Sequence, residues 1–180
     1  MMTLTRRVFV AAAGTVALAA PLRKPKADEL QGADALRRLD PPKPIDVRFT
    51  TADGSARSLA DYVGKGIVLN LWATWCVPCV AEMPSLAAFA SVVAKNGIVV
   101  LPLSSDRGGA EIVSKFYKEL GVANLPVLLD PKSAAAHALN VRGIPTTLII
   151  DRQGREVAWT EGSVNWASDA AVATIRTLVG

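Results

Sequence analysis

Apolar and polar positions alternate along the chain in blocks that predict strands and helices in turn. Largely apolar runs at 67–72, 98–104 and 146–150 predict buried strands. At 77–95 and 110–120, apolar residues recur every three or four positions, which predicts helices with one inward face. This alternation predicts an α/β fold with a central mixed β-sheet flanked by helices on both faces.

Shorter patterns complete the domain at both ends. A strand at 47–50 followed by the turn 52–55, which contains Asp-Gly, predicts an N-terminal β-hairpin extension. A turn at 151–154 leads into an antiparallel return strand at 156–160. The remaining predicted elements are a helix at 58–62, a strand at 127–129, a helix at 133–139 and a closing helix at 167–179.

The first twenty residues do not belong to this pattern. Arg6 and Arg7 precede a run without charge from Val8 to Ala20, which spans only about 20 Å as a helix, short of a ~30 Å bilayer core. Residues 1–20 are therefore predicted to be an export signal, and the two arginines favour the twin-arginine type over an ordinary secretory signal. The predicted location is the periplasm, with a membrane anchor if the signal stays uncleaved.

Residues 21–44 are interrupted by prolines and crowded by charges, so they are predicted to be a flexible linker, with at most a short helix at 29–39. This leaves 45–180 as the folded domain. The chain is 51% hydrophobic and 20% charged, which supports a sizeable core and argues against global disorder. The net charge of +4 includes the signal's arginines and no basic block, so nucleic acid is not an indicated partner.

The two cysteines of the chain, Cys76 and Cys79, lie where the strand 67–72 turns into the following helix. The first thiol meets the free N–H groups and positive end of that helix, which stabilise a thiolate, and the second lies one turn along. A zinc site needs four ligands, and the chain offers one histidine, His137. A structural disulfide across so small a ring would contribute little stability. Redox chemistry is therefore the favoured interpretation.

Glu82 falls on the apolar stripe that continues through Met83 and Leu86, one turn after Cys79. The spacing predicts a partly buried acid with a raised pKa that exchanges a proton with Cys79. The alternative is a surface glutamate in the first turns, where the helix dipole favours negative charge.

Three motifs taken together resemble the thioredoxin superfamily, and within it the TlpA/ResA-like group of thiol–disulfide reductases. They are Asn70–Cys79, Glu82–Pro84 and Gly143–Thr146, and the resemblance runs from about Val47 to the C-terminus. The stretch 162–175 is similar to the TlpA-like branch of the group. The resemblance implies a thioredoxin fold over 45–180 and dithiol–disulfide exchange without a cofactor or metal.

The resemblance also implies a role for individual residues. Cys76 is implied to be the attacking nucleophile and Cys79 the resolving thiol. Pro145 is implied to be a cis-proline that faces the disulfide, although the pattern alone leaves an ordinary trans proline open. Thioredoxins carry a buried acid on the strand where this chain has Asn70, so Glu82 is implied to replace it. The residues predicted to dock a client are Trp75, Val77, Pro78, Ile144 and Thr146.

The implied function is reduction of client proteins that contain cysteine pairs, either apocytochrome c or copper-site assembly proteins of cytochrome oxidase. The implied electron donor is a membrane thiol reductase of the DsbD/CcdA type. Thr146 stands where cytochrome c specialists carry glutamate, which favours oxidase maturation.

Two other functions stay open. A thiol peroxidase would need a threonine three residues before its cysteine and a positioning arginine, whereas Thr74 lies two before Cys76. A Sco-type copper chaperone would need one more residue between its cysteines and a distal histidine.

Overall fold

The structure, a computed structural model, describes residues 31–130 and 132–180. The predicted export signal and the first part of the predicted linker lie outside the described residues. The strands and helices are β1 Arg37–Pro44, β2 Arg48–Thr51, β3 Ala56–Ser58, β4 Gly66–Trp72, α1 Val77–Val93, β5 Ile98–Ser104, α2 Gly109–Leu120, β6 Leu128–Leu129, α3 Ala134–Ala138, β7 Thr146–Ile150, β8 Arg155–Glu161 and α4 Asp169–Val179.

The strands form one mixed sheet in the order β1-β8-β7-β4-β5-β6-β2-β3. Parallel pairing joins β4 to β5 and β5 to β6, and the other pairs are antiparallel. The hairpin β2–β3 adds to β6 through Thr50 and Thr51, as the predicted N-terminal extension. The strands β4 and β5 carry two of the largely apolar runs. Both lie inside the sheet, which explains why neither strand has a polar face.

The residues 37–44 differ from the predicted flexible linker, because they form the edge strand β1 beside β8. Proline lacks the N–H that an inner strand must donate, so an edge is the place where a proline-rich strand is tolerated. The pairing shifts register between Arg38 and Lys43, and the guanidinium of Arg37 lies 4.9 Å from the centre of the Trp159 ring. Of the short helix predicted at 29–39, the described residues 31–39 contain a single 3₁₀ turn at Ala33–Ala35.

Helices cover both faces of the sheet, as predicted. Because side chains alternate along a strand, β4 sends Val68 and Trp72 into the core beneath α1, α2 and α4. Trp72 stacks on Tyr117 of α2 with ring centres 5.6 Å apart. The opposite face of β4 carries Leu69 and Leu71 and is covered by α3 and a 3₁₀ turn at Leu59–Tyr62.

Helix α1 positions the redox motif at the edge where β4 ends. By length and apolar composition alone the stretch Val77–Asn96 could cross a membrane, but here it is the core helix of the domain. Its inward side chains, among them Met83, Leu86 and Phe89, are buried against the sheet. Pro78 lies in the first turn, where its missing N–H has no partner to lose, whereas Pro84 lies inside the helix.

Candidate active site

The two cysteines form a disulfide at the N-terminus of α1, with their Cα atoms 5.2 Å apart. Cys76 is the N-cap residue of the helix, and the backbone N–H of Cys79 donates to its sulfur at 3.3 Å. After reduction, that N–H and the positive end of the helix would stabilise a negative charge on Cys76. The geometry therefore favours Cys76 as the thiolate of the pair.

The exposed surface of the two cysteines differs in the same direction. Cys76 retains 6% of its accessible surface, and Cys79 retains none. Around Cys76, Trp75 is 68% exposed, Val77 is 64% exposed and Pro78 is also exposed. These three predicted docking residues therefore form an exposed apolar surface next to Cys76. Burial of this surface by a client would favour binding.

The loop before β7 faces the disulfide. The Ile144–Pro145 peptide bond is cis, and the Ile144 carbonyl oxygen lies 3.6 Å from the Cys76 sulfur. Ile144 is half-buried at the rim. Thr146, also predicted to dock a client, instead has a buried side chain whose hydroxyl donates to the Gly143 carbonyl at 2.7 Å. Its side chain closes the loop from inside, so the docking role predicted for it does not fit.

Glu82 is completely buried, so the alternative of a surface glutamate is wrong. Its Oε1 accepts a hydrogen bond from Asn70 Nδ2 at 2.8 Å. Its Oε2 accepts from the backbone N–H of Val164 at 3.0 Å and from Trp166 Nε1 at 3.3 Å. Burial raises the pKa of Glu82 to about 7, and the three hydrogen bonds oppose that rise only in part.

Val164 and Trp166 are functional candidates that sequence reasoning missed. Both lie in the segment between β8 and α4, more than eighty residues from Glu82 in sequence. The segment is itself tied to Gln31, whose N–H donates to Ser163 and whose carbonyl accepts from Asn165, both at 2.9 Å. No local signal in the sequence marks such a long-range contact, although a fully buried tryptophan needs a partner for its N–H.

Asp106 is a third residue that sequence reasoning missed. It is 3% exposed and accepts from the Thr74 backbone N–H at 2.9 Å, the Thr74 hydroxyl at 2.7 Å and the Ser104 hydroxyl at 2.7 Å. These bonds hold the loop that leads into Trp75 and Cys76. The available signal was its place just after the apolar run of β5, because parallel neighbours such as β4 and β5 end at the same edge of the sheet.

We expect Asp106→Ala to lower the free energy of unfolding by about 2–4 kcal/mol, because one buried and two part-buried donors lose their acceptor. Denaturant unfolding of the oxidised protein measures the change. Asp46→Ala is the matched control, since Asp46 is exposed and lies 3.9 Å from Arg48, and it should cost less than about 0.5 kcal/mol. Equal effects of the two substitutions would contradict the role assigned to Asp106.

A groove of about 660 Å³ lies beside Trp75. Its lining includes Ile112, Arg107, Lys132 and His137. Within the described part of the chain, no group of three or more histidine, cysteine, aspartate or glutamate side chains is arranged to hold a metal ion.

Fold and site together define a thioredoxin-like domain with a redox-active Cys-x-x-Cys pair. Residues 43–158, more than half of the chain, match the AhpC/TSA family, and the chain belongs to that family.

Individual relatives are similar over the same region. Thiol-disulfide oxidoreductase ResA of Geobacillus kaustophilus (strain HTA426) is 35% identical over 109 residues, which cover 61% of this chain and 62% of that protein. ResA of Bacillus subtilis (strain 168) is 34% identical over 113 residues, with 62% of each chain covered. The match thus spans less than two thirds of the length of these relatives.

Solved structures are similar across the domain. The exposed lipoprotein thioredoxin Etrx1 from Streptococcus pneumoniae strain TIGR4 is 32% identical, with a TM-score of 0.62 over 74% of this chain and 100% of that one. A thiol:disulfide interchange protein of the thioredoxin family from Chlorobium tepidum TLS is 26% identical, with a TM-score of 0.62 over 80% of this chain and 98% of that one. The thioredoxin fold predicted from the sequence is confirmed.

Proposed function

We propose that this protein is a thiol–disulfide oxidoreductase that reduces disulfides of client proteins with the Cys76–Cys79 pair. The observation that carries the proposal is the placement of Cys76, which caps α1, receives the Cys79 N–H on its sulfur and lies beside the cis-proline loop. That arrangement stabilises a thiolate at the one sulfur of the pair that reaches the surface. The names of the relatives support the same activity.

The exchange proceeds in two balanced steps. The Cys76 thiolate attacks one sulfur of the client disulfide, which forms a mixed disulfide and releases the other client sulfur as a thiolate. Cys79 then loses its proton and attacks the Cys76 sulfur, which closes the Cys76–Cys79 disulfide and releases the second client sulfur. Glu82 accepts the proton of Cys79 and passes it on to a released thiolate or to water. The client gains two electrons, and the protein becomes oxidised. The two released client thiolates take up one proton that comes from Cys79 and one from water, which received the proton that Cys76 lost when it ionised.

The wider assignment rests on the sequence. The predicted signal at 1–20 supports export to the periplasm, and the relative Etrx1 is described as an exposed lipoprotein. The clients proposed are apocytochrome c or the copper-site assembly proteins of cytochrome oxidase, and the proposed donor is a membrane thiol reductase of the DsbD/CcdA type. Thr146 still favours the oxidase branch as a family marker, although its side chain faces inward.

The reduction potential of the Cys76–Cys79 pair tests the direction of exchange. We expect a value nearer to that of thioredoxin, about −270 mV, than to that of DsbA, about −120 mV. Equilibration with glutathione or dithiothreitol buffers, read by thiol trapping, gives the potential. Insulin reduction by the same preparation tests the activity. A potential close to that of DsbA would make the protein an oxidant and contradict the proposal.

Among the residues that the structure describes, no contact in the site favours the peroxidase or the copper-chaperone alternative. The Thr74 hydroxyl, the one threonine hydroxyl near Cys76 in sequence, is engaged by Asp106. Peroxide consumption and copper titration of the reduced protein should therefore give background values. Peroxide turnover as fast as insulin reduction would favour the peroxidase instead.

A further inference from the structure

The two oxygens of the Glu82 carboxylate have different surroundings. Oε2 accepts two hydrogen bonds, from the backbone N–H of Val164 and from the indole N–H of Trp166, and neither donor is able to become an acceptor. Oε1 accepts one bond, from the side-chain amide of Asn70. A proton that binds the carboxylate therefore goes to Oε1, because Oε2 is enclosed by fixed donors.

A proton on Oε1 conflicts with the present orientation of Asn70. Its amide nitrogen faces Oε1 and also donates to the Thr147 hydroxyl oxygen at 2.9 Å. The O–H of protonated Glu82 would then face the N–H of Asn70, so two donors would meet. Both side chains are fully buried, where a polar group without a partner is costly. The other end of the same amide, Asn70 Oδ1, is buried and has no hydrogen-bond partner among the described residues.

We propose that Asn70 is a positioning residue whose side-chain amide turns over by half a rotation when Glu82 takes up a proton. The rotation brings Oδ1 to the place that Nδ2 occupies now. There it accepts one hydrogen bond from protonated Oε1 of Glu82 and one from the Thr147 hydroxyl, which changes from acceptor to donor. A carbonyl oxygen has two lone pairs and a hydroxyl both donates and accepts, so the same three side chains satisfy both states of Glu82 at Oε1.

The chemistry requires asparagine at this position. Aspartate would only accept hydrogen bonds and would compete with Glu82 for the proton. Leucine, which is of similar size, would neither donate nor accept a hydrogen bond. The groups that bond Glu82 from β4 and the segment before α4 are uncharged, and so is Thr147 of β7, which bonds Asn70. Within the described residues no cation forms an ion pair with Glu82. The titratable neighbours on its own helix are Cys76 and Cys79.

The inference deepens the proposed function and rests on the proton exchange between Glu82 and Cys79. The proton leaves the Cys79 sulfur and binds Oε1 of Glu82, which gives a thiolate and a neutral acid. An amide that follows the proton keeps Oε1 of Glu82 and the Thr147 hydroxyl hydrogen-bonded in both states, so the proton is able to travel in either direction near neutral pH. A fixed amide would favour the ionised acid alone.

Nuclear magnetic resonance of the reduced, isotope-labelled protein tests the rotation. The Glu82 side-chain carboxyl ¹³C shift reports its protonation between about pH 5 and pH 9. Above the midpoint, the Asn70 amide protons should show cross-relaxation with the Thr147 side chain. Below it, that signal should fall several-fold with the same midpoint, because the amide nitrogen has turned away.

The matched control is Glu82→Gln, whose amide N–H₂ imitates the protonated acid at the Oε1 position. In this variant, Asn70 should show the low-pH pattern at every pH. Asn70 signals that stay the same on both sides of the Glu82 midpoint, or a glutamine variant with the high-pH pattern, would overturn the rotation. Insulin reduction by the same samples keeps the two proposals apart. If the wild type is active and its Asn70 amide does not rotate, only the proposed rotation is wrong. If the wild type is inactive, the proposed function is wrong.

Discussion

Cys76→Ser should abolish insulin reduction, while Cys79→Ser should retain attack and accumulate mixed disulfides with client proteins. The physical reason is the difference between the two sulfurs. Cys76 is the helix N-cap and is the only one of the two with exposed surface, whereas Cys79 is fully buried. Without Cys79 the first exchange still occurs, but no internal thiol is present to release the client.

Non-reducing electrophoresis and mass spectrometry of the two variants measure this difference. Trp75 offers a matched control, because Trp75→Ala leaves both thiols in place and removes only exposed apolar surface. That variant should weaken client binding without trapping mixed disulfides. If alkylation at neutral pH modifies Cys79 before Cys76 in the reduced protein, the assigned roles are reversed.

Local sequence pattern predicted the features of the site that depend on local periodicity. The stripe that places Glu82 on the inner face of α1 is visible in the spacing of its apolar neighbours, and the structure buries it completely. The position of Cys76 at the helix start follows from the strand–helix boundary, which lies within one residue of the predicted place. The cis conformation at Pro145 came from the family motif and agrees with the structure.

Contacts between distant segments were not predictable in the same way. Trp166 and Asn70 meet Glu82 because the segment before α4 and the strand β4 both reach its carboxylate, and no pattern in either segment indicates this partner. The strand β1 was interpreted as linker because its prolines oppose regular structure, a tendency that an edge position overrides. Thr146 was predicted to dock a client beside Pro145, but both faces of β7 are buried and its hydroxyl donates to the Gly143 carbonyl.

Glu82→Gln should remove a pH dependence of stability that the wild type shows between about pH 4.5 and pH 7. The folded-state pKa of Glu82 is raised from 4.5 to about 7, so over this range the folded protein binds more protons than the unfolded chain. The free energy of unfolding therefore falls as pH rises through this window and levels off above it. A pKa difference of this size between the folded and the unfolded state corresponds to about 3 kcal/mol in the free energy of unfolding.

Denaturant unfolding of the oxidised proteins measures this effect without titration of the thiols, since both cysteines are held in the disulfide. The difference in stability between the glutamine variant and the wild type should grow by about 3 kcal/mol from pH 4.5 to pH 8. Asp46→Asn is a suitable second control, because that carboxylate is exposed and its removal should shift the curve little. Parallel curves for Glu82→Gln and wild type would show that Glu82 ionises as readily in the folded protein as in the unfolded chain.

The same substitution should change the reactivity of the reduced protein. An ionised Glu82 one turn from Cys79 opposes formation of a second negative charge nearby, and a neutral glutamine does not. The apparent pKa values of the coupled thiols should therefore decrease in the variant, and alkylation should become faster above neutral pH, where Glu82 is ionised in the wild type. Rates measured from about pH 5 to pH 10 on both proteins test this, a range that brackets the ordinary thiol pKa. Superimposable profiles would leave Glu82 a structural acid, and the proton in the resolving step would then have to move directly between Cys79 and water.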